Sequence, residues 1–504
     1  MDASGTTANV TFVADYDGAG RASSEQAFVV NTGSGNDNIT ADLTGTSTSG
    51  STQASLSISS TGGNNTVELT STGAEVNTAT VTLGAGNDTV TGGMTHLTAN
   101  TGAGDDVVYA ENTGTKTEGI LAAGSTIASA VAFAAVGASG QAVNEVELLN
   151  GRTVTVTLNI TNLAAADTLA FTKGYEATAV IEASNGALTT ERDLYEAAAK
   201  AINEDAVLNK LAKAEVDSNG DLIVTSLVDG VSVAGDDLVT LGLSGVATDL
   251  SAAERADILE AVQDKIDDST ETAGNVDTAY DGVALAVTDV VDVTTIGTDS
   301  TVSGGSNTVN AGAGDDVIVL NSNAADTLSD TVVFDAGQIG NNAIVHFETV
   351  AGASAEDDVL DFTAWLNNTT DASANANNLS ESRVLTTLAA SEAAFDENAV
   401  VITDFNTLNG ATTAVLDFAN MTDAQVLAAL NENATFANVA ADANLVGNAQ
   451  NSIMMVENVA NLGEYKVYQV TSETALGDDN FTAVTLIGTV DFGATVGFEV
   501  DNFA

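Results

Sequence analysis

Residues 84–90 read Gly84-Ala85-Gly86-Asn87-Asp88-Thr89-Val90, a stretch with the pattern G-x-G-[ND]-D-x-[VI]. Two glycines around one residue let the backbone adopt positive φ values and turn its carbonyls to one side. The acidic residue adds carboxylate oxygens, and the valine two positions later begins a short β-strand. The pattern occurs three more times, at Gly33-Ser34-Gly35-Asn36-Asp37-Asn38-Ile39, Gly102-Ala103-Gly104-Asp105-Asp106-Val107-Val108 and Gly312-Ala313-Gly314-Asp315-Asp316-Val317-Ile318.

Oxygen atoms that converge on one point suit calcium, which accepts roughly six to eight oxygen ligands. A single copy of the pattern fits an ordinary tight turn between strands equally well. Four copies in a strongly acidic chain favour metal binding. The predicted Ca²⁺ ligands are the glycines and the amide or acidic residues of the four loops: Gly33, Gly35, Asn36, Asp37, Gly84, Gly86, Asn87, Asp88, Gly102, Gly104, Asp105, Asp106, Gly312, Gly314, Asp315 and Asp316.

The copies keep a nine-residue register. Asp88 and Asp106 are 18 residues apart, which is two units of nine, and Gly92-Gly93-Met94 lies where a degenerate middle unit begins. That middle unit has Leu97 in place of its aspartate. The register persists weakly before the fourth copy, where three residues precede their counterparts by nine positions: Gly305, Asn307 and Val309 precede Gly314, Asp316 and Ile318.

These units resemble the glycine-rich nonapeptide repeats of RTX proteins, whose consensus is G-G-x-G-x-D-x-U-x. The resemblance implies a parallel β-roll that binds Ca²⁺ between turns two repeats apart on the same side. It therefore implies that the loops ending at Asp88 and Asp106 share one ion. Because the copies are scattered and each departs from the consensus at its first glycine, long uninterrupted rolls are not expected. The residues at that first position are Thr32, Leu83, Thr101 and Ala311.

A looser resemblance covers parts of the C-terminal region. Ile344-Val345-His346-Phe347-Glu348 and Asp357-Asp358-Val359-Leu360-Asp361-Phe362 resemble the segment that follows RTX repeats in bacterial S-layer and related secreted surface proteins. Residues 453–492 are similar to C-terminal regions of the same proteins, which carry a type I secretion signal. The resemblance implies export by that route, and the first five residues have neither the basic nor the apolar region of a signal peptide.

Composition limits the partners of the chain. Its 504 residues include 70 Asp and Glu against 12 Lys and Arg, a formal charge of -58, while a hydrophobic content of 44% allows folded cores. Such a body repels itself and is stabilised by cations that bind only the folded state. Nucleic acid and anionic lipid are poor partners for such a surface, because phosphate binding needs clustered basic residues. The chain has no cysteine and no proline, so no disulfide stabilises it, and membrane insertion is not expected.

The pattern of strands, turns and helices predicts a mainly β, multi-domain fold. It contains short parallel β-roll or β-sandwich segments with calcium-binding turns and one small inserted α/β module. The predicted segments are a β-rich domain with calcium repeats at 1–115, the α/β module at 116–250, a helix and connector at 251–290, a second repeat segment at 291–350 and a C-terminal β-rich domain with the secretion signal at 351–504.

Several local elements are predicted from capping and periodicity. Helices are expected to begin near Thr190 and to cover Ser251 to Asp268 and Thr422 to Leu430, each with a polar residue at the capping position. A hairpin is expected around Asn219-Gly220. The last strands are expected at Tyr465 to Thr471, Ala483 to Leu486 and Thr489 to Phe492.

No catalytic constellation is found. His96 and His346 are the only histidines, and the absence of H-E-x-x-H and of cysteine excludes RTX proteases. Asp217, Asn219 and Asp221 have the spacing of an EF-hand start, but Val228 occupies the twelfth position, so a hairpin turn is the better interpretation. Paired carboxylates suit a glycosidase, but such pairs arise by chance in a chain this acidic: Asp236-Asp237, Asp357-Asp358 and Asp478-Asp479.

The sequence predicts a non-enzymatic, extracellular structural protein that assembles with itself on a bacterial surface when Ca²⁺ is present, as an S-layer subunit. A filament of an extracellular or biofilm matrix would use the same sites. A calcium-dependent adhesin is less favoured because aromatic residues are 5% and dispersed, and a secreted hydrolase is least favoured. The predicted partners are further copies of the chain and cell-surface polysaccharide.

Overall fold

A computed structural model describes residues 1–15, 26–42, 54–71, 77–93, 96–112, 114–122, 152–159, 174–182, 191–229, 237–244, 290–295, 306–320, 328–335, 337–349, 357–366, 400–409, 416–432, 450–472, 481–493, 496–498 and 502–503. The fold is mainly β, with parallel sheets. The chain forms two compact units. Unit 1 contains Met1–Thr113 and Ser300–Ala504, and unit 2 contains Gly114–Ala166 and Lys173–Asp299.

The strands lie, in chain order, at β1 (Thr11–Asp15), β2 (Gln26–Asn31), β3 (Asn38–Asp42), β4 (Ala54–Ser59), β5 (Thr66–Thr70), β6 (Thr78–Thr82), β7 (Thr89–Thr91), β8 (His96–Asn100), β9 (Val107–Tyr109), β10 (Lys116–Leu121), β11 (Thr153–Leu158), β12 (Tyr175–Val180), β13 (Ala212–Val216), β14 (Leu222–Asp229), β15 (Asp237–Ser244), β16 (Val290–Thr295), β17 (Thr308–Asn310), β18 (Val317–Val319), β19 (Thr331–Val333), β20 (Gly340–Val345), β21 (Val359–Asp361), β22 (Val400–Asp404), β23 (Gln450–Glu457), β24 (Glu464–Ser472) and β25 (Phe481–Asp491). The described helices are α1 (Glu191–Glu204), α2 (Leu208–Leu211), α3 (Thr363–Leu366), α4 (Phe405–Asn409), α5 (Asp423–Glu432) and a 3₁₀ turn at Phe418–Asn420.

Successive strands of unit 1 alternate between two sheets. One sheet has eleven strands in the order β1-β3-β5-β7-β9-β18-β20-β25-β24-β23-β22, and the other has seven in the order β2-β4-β6-β8-β17-β19-β21. Pairing is parallel from β1 to β25 in the first sheet and throughout the second. Alternate residues such as Ile39, Val67, Val81 and Leu97 point into one shared core and are fully buried. Two parallel sheets that face a common core form a β-roll.

The roll continues across the inserted unit 2. Val107 of β9 pairs with Val317 of β18, and Thr98 of β8 pairs with Thr308 of β17, although each pair is separated by 210 residues in sequence. The expectation of short, interrupted roll segments is therefore wrong for unit 1. Rungs that lie at unequal spacing along the sequence still stack in register, because each strand keeps its inward alternation.

The C-terminal part of unit 1 extends the eleven-stranded sheet with antiparallel strands. β25 pairs in parallel with β20 and antiparallel with β24, which pairs antiparallel with β23. Aromatic rings fill the core here, with ring centroids of Phe347, Tyr465, Phe492 and Phe498 lying 5.2–6.0 Å apart. Trp365 is half-buried and packs against this core.

Unit 2 is an antiparallel sheet of seven strands in the order β12-β11-β15-β16-β10-β14-β13, with α1 packed against it. Leu194, Ala198 and Ile202 recur at helical spacing and are fully buried, so they form the apolar face of this helix. The hairpin predicted around Asn219-Gly220 joins β13 to β14. Unit 2 thus combines a helix with an antiparallel sheet.

Other local expectations have mixed outcomes. The helix α5 is capped near Thr422 as predicted, since the Thr422 N–H donates to Gln425 Oε1 at 2.9 Å. The two strands expected at 483–486 and 489–492 form one strand, β25. Position 488 within this strand needs glycine, because a Cβ added there would lie 2.3 Å from the Gly340 carbonyl oxygen. The predicted helix at Ser251 to Asp268 and the capping residue Thr190 lie outside the described residues.

The division into units differs from the five predicted segments. The structure places the N-terminal and second repeat segments and the C-terminal β-rich region in unit 1, because their strands share sheets and one core. Local composition identifies where the pattern changes, but it does not show which separated strands pair.

Candidate functional site: stacked acidic turns

A turn with two consecutive Asn or Asp residues precedes several strands of the eleven-stranded sheet. The second residue of each pair stacks on its equivalent in the next turn, and the resulting continuous column is here called the inner ladder. In each rung the side-chain Oδ1 atom accepts the backbone N–H of the equivalent residue in the preceding rung. The distances run from 2.7 to 3.2 Å. The inner ladder consists of Asp37, Asn65, Asp88, Asp106, Asp316 and Asn342.

The first polar residue of each turn forms a parallel outer ladder at the surface. Its side-chain oxygens also accept the backbone N–H of a neighbouring rung, at 2.8–3.2 Å. The outer ladder consists of Asn9, Asn36, Asn64, Asn87, Asp105, Asp315 and Asn341. Since only one oxygen is used at each rung, stacking explains why the motif accepts Asn or Asp at this position.

The glycines of the motif permit the rungs to approach one another. A Cβ added at Gly314, whose φ is +154°, would lie 1.9 Å from the Gly104 carbonyl oxygen, and one added at Gly104 would lie 2.4 Å from that of Gly86. No side chain fits at these separations. The glycine spacing is therefore a steric requirement of the stack, whether or not an ion is bound.

The inner aspartates have a second oxygen that the stack does not use. The Oδ2 atoms of Asp37, Asp88, Asp106 and Asp316 are buried and have no hydrogen-bond partner in the described part of the chain. These residues are only 1–2% exposed. A buried, unpaired carboxylate oxygen is costly, so each one requires a proton or a cation.

Asn65 shows what this position needs. Its Nδ2 atom donates to the carbonyl of Gly63, two residues earlier in the same turn, at 2.8 Å, while its Oδ1 keeps the ladder bond to Asp37. An aspartate in the same rung has an oxygen in place of that N–H donor, and an oxygen cannot donate to a carbonyl. The four aspartates therefore lack the N–H donor that Asn65 supplies to its own turn. Stacking alone does not explain why these rungs carry aspartate instead of asparagine.

The electrostatics agree with this geometry. Burial raises the pKa of Asp88 to about 7, and the negative charge of Asp106 adds to the effect. Burial likewise raises the pKa of Asp106 to about 6 and that of Asp316 to about 8, with Asp106 and Asp105 contributing at Asp316. A divalent cation beside these carboxylates would favour their charged form.

The predicted loops come together in part. Asp88 and Asp106 occupy adjacent rungs, with the Asp88 N–H 2.7 Å from Asp106 Oδ1, and Asp316 follows directly after Asp106. Asn65 separates Asp37 from the other three aspartates. The donor set consists of carboxylate, amide and backbone oxygens, the ligands that Ca²⁺ takes. Within the described ranges, no group of three or more His, Cys, Asp or Glu residues is close enough to hold a metal, so an ion would depend on backbone carbonyls as well.

The opposite turns of the roll carry a second, shorter stack that sequence reasoning missed. Asn307 Oδ1 accepts the N–H of Leu97, Asp330 Oδ1 accepts the N–H of Asn307, and Asp358 Oδ1 accepts the N–H of Asp330, at 2.8–3.0 Å. Leu97 therefore belongs to the other sheet, and the nine-residue unit is half a turn of the roll. Burial and the charge of Asp330 raise the pKa of Asp358. Gly305 lies outside the described residues.

The remaining candidates have structural roles. Asp217 Oδ1 accepts the N–H groups of Asn219 and Asp221 at 2.7 and 3.0 Å in the predicted hairpin turn. His96 is a half-buried strand residue, and His346 is buried with a φ of 63°. Asp236, Asp478 and Asp479 lie outside the described residues. Among the helices of the described segments, none is long and apolar enough to cross a bilayer.

No family model matches this chain, and neither the curated proteins nor the solved structures include a significant match to it.

Proposed function

We propose that this chain is a non-catalytic, extracellular structural protein that assembles with itself on a bacterial surface when Ca²⁺ is bound, as a subunit of an S-layer. The observation that carries the proposal is the set of four buried aspartate oxygens without a partner in the inner ladder. Stacking needs only one oxygen per rung, so the second oxygen supports a cation-binding role.

The net charge of -58 supports the same proposal. Neighbouring inner carboxylates repel each other in the ion-free roll, and their charge adds to the repulsion of the whole acidic surface. Calcium that binds only the folded roll would remove the local repulsion and stabilise the fold by mass action. The millimolar Ca²⁺ of many extracellular environments would then provide the condition for assembly.

Electron microscopy and calcium titration test the proposal together. We expect the purified chain to form sheets in millimolar CaCl₂ and to remain dispersed in EGTA, and calorimetry to detect calcium binding to the dispersed protein. Filaments instead of sheets would identify the matrix-filament alternative. Dispersed particles in both conditions, with no heat of binding, would contradict the proposal.

Two substitutions test whether neighbouring rungs share an ion. Asp88→Asn and Asp106→Asn each keep the Oδ1 acceptor of the ladder and replace the unpartnered oxygen with a donor amide, as in Asn65. If the rungs share calcium, the double variant is expected to lose no more binding energy than either single variant. The matched control is Asp217→Asn in unit 2, for which calcium binding should equal that of the unaltered chain. Strictly additive losses would contradict a shared ion.

A further inference from the structure

The seven-stranded sheet of unit 1 has a row of hydroxyl groups on its outer face. The register places Ser57 beside Thr80, Thr80 beside Thr98, Thr98 beside Thr308 and Thr308 beside Thr331. These residues alternate with inward-facing residues such as Ile58, Val81 and Val309, so their side chains point away from the core. We call this row the hydroxyl column: Ser57, Thr80, Thr98, Thr308 and Thr331.

The strand positions around the hydroxyl column are uncharged, and carboxylates lie at one edge, where Asp335 accepts from Asn310 Nδ2 and Asp361 of β21 pairs with Val333. From β2 to β19 its outward positions contain no Asp, Glu, Lys or Arg, although the chain has 70 acidic and 12 basic residues. The outer face of the other sheet differs, because Asp42 and Glu68 lie on its first strands. Besides the hydroxyl column, the uncharged positions are Ala27, Val29, Asn31, Ser55, Ser59, Thr78, Thr82, His96, Asn100, Asn310 and Val333.

This face is open and its hydroxyls are available. Ser57, Thr80 and Thr98 are exposed, and Thr308 and Thr331 are half-buried. None of the five side chains makes a hydrogen bond to a described residue. Adjacent strands are about 4.8 Å apart and same-face residues about 6.6 Å apart along a strand, so the methyl and hydroxyl groups form a flat, regular array.

We propose that the hydroxyl column and its uncharged flanks form a contact between two copies of this chain. The inference rests on the proposed function and names the surface through which assembly occurs. Two bodies with a formal charge of -58 repel wherever acidic surfaces meet, and like-charge contacts across an interface are costly. An uncharged face removes that cost locally, and a second copy has the same strand spacing, so the two arrays match without adjustment.

The size of the face suits a lattice contact. Its three columns over six strands cover only a few hundred Å², well below the roughly 800 Å² per partner in a stable pair. A contact of this size is weak when it acts alone. In a sheet, every copy makes several contacts at once, and weak contacts then combine into stable assembly.

The test adds charge to the hydroxyl column. Thr80 and Thr98 are neighbours on adjacent strands, and the variant Thr80→Glu/Thr98→Glu places two carboxylates at its centre. The matched control, Thr155→Glu/Thr178→Glu, changes neighbouring threonines on adjacent strands of unit 2. Circular dichroism and calcium titration establish that each variant folds and binds calcium. Sedimentation velocity and electron microscopy in millimolar CaCl₂ then measure association.

We expect the hydroxyl-column variant to associate at least tenfold more weakly than the unaltered chain and to form no sheets, while the control assembles normally. Assembly of the hydroxyl-column variant at unaltered strength would overturn this inference and leave the proposed function intact. If that variant assembles normally but loses binding to purified cell-surface polysaccharide, the face binds a glycan and the inference is also overturned. If the unaltered chain stays monomeric in calcium, the proposed function fails as well.

Discussion

The roll of unit 1 and the antiparallel sheet of unit 2 both contain aspartate-rich turns, and the two units satisfy their carboxylates differently. In unit 2, backbone N–H groups of one exposed hairpin turn, those of Asp221 and Asn219 among them, lower the pKa of Asp217. In unit 1, burial raises the pKa of Asp88, and its second oxygen has no partner among the described residues. A turn whose own backbone satisfies its carboxylate needs no ion, whereas a buried stack of carboxylates does.

The largest effect that separates the two units is expected from calcium removal. Calcium at about 100 times its dissociation constant stabilises a single site by about 2.7 kcal/mol, so EGTA should speed amide exchange in the inner ladder by about a hundredfold. The N–H groups of Asp37, Asn65, Asp88 and Asp106 report this by hydrogen exchange with mass spectrometry. Exchange in β11 to β15 of unit 2 should not change. Equal acceleration in both units would remove the distinction drawn between them.

A steric test of the stack concerns unit 1 alone and is expected to cost more free energy than the loss of one calcium ion. Gly314→Ala places a Cβ against the Gly104 carbonyl and should destabilise unit 1 by more than about 4 kcal/mol. Gly337 also has positive φ, at +137°, but nothing lies within 4 Å of an added Cβ. Gly337→Ala should therefore cost only the backbone strain, about 1–3 kcal/mol. Urea unfolding with and without calcium measures both, and equal losses would show that the close approach is unimportant.

A pH test concerns the core of unit 1. Burial lowers the pKa of His346 to about 4, from an ordinary value of 6.5. Because the pKa of His346 is lower in the folded state, its contribution to the free energy of unfolding is fully present above pH 6.5. This contribution is lost as the pH falls from 6.5 towards 4. At pH 5 the loss is about 2 kcal/mol. His346→Asn, which tolerates the positive φ, should lack this component. Parallel stability curves for the two proteins between pH 7.5 and 5 would contradict it.

The smallest effect is expected in unit 2. Asp217→Ala removes the acceptor of an exposed turn and should lower the melting temperature of unit 2 slightly. The decrease should be the same in calcium and in EGTA, because no ion is needed there. Differential scanning calorimetry measures it, and a calcium-dependent decrease would revive the EF-hand interpretation of this turn.

The sequence predicted the local parts of the roll better than their connection. The resemblance to nine-residue repeats implied that Asp88 and Asp106 lie together on one side of the roll, and the structure places them on adjacent rungs. The rungs at Asn65 and Asn342 were not predicted because the proposed motif requires aspartate, although Gly62-Gly63-Asn64-Asn65-Thr66-Val67 has the same order of glycine, polar and strand residues. An amide stacks as well as a carboxylate, so the stacking pattern is broader than the proposed calcium motif.

The neighbour of Asp106 could not be found from spacing, since 210 residues separate it from Asp316. Sequence periodicity describes neighbouring residues only. It does not show which strand continues a sheet after an inserted unit. One signal was present in the near-identity of Gly102-Ala103-Gly104-Asp105-Asp106-Val107 and Gly312-Ala313-Gly314-Asp315-Asp316-Val317. Two turns that stack directly on each other face the same steric demands, so matching sequences on both sides of an insertion are a useful sign of adjacency.

The inserted unit also affects how the roll folds. In the part of the roll before the insertion, contacts between neighbouring rungs join residues only 18 to 28 positions apart, so these rungs can form early in folding. Joining β9 to β18 closes a far longer loop, and the entropy cost rises with the logarithm of its length. If unit 2 folds first, its closed ends shorten the effective loop. Refolding kinetics should then show an early phase for the first rungs and a later one, paced by unit 2, in which the roll is completed.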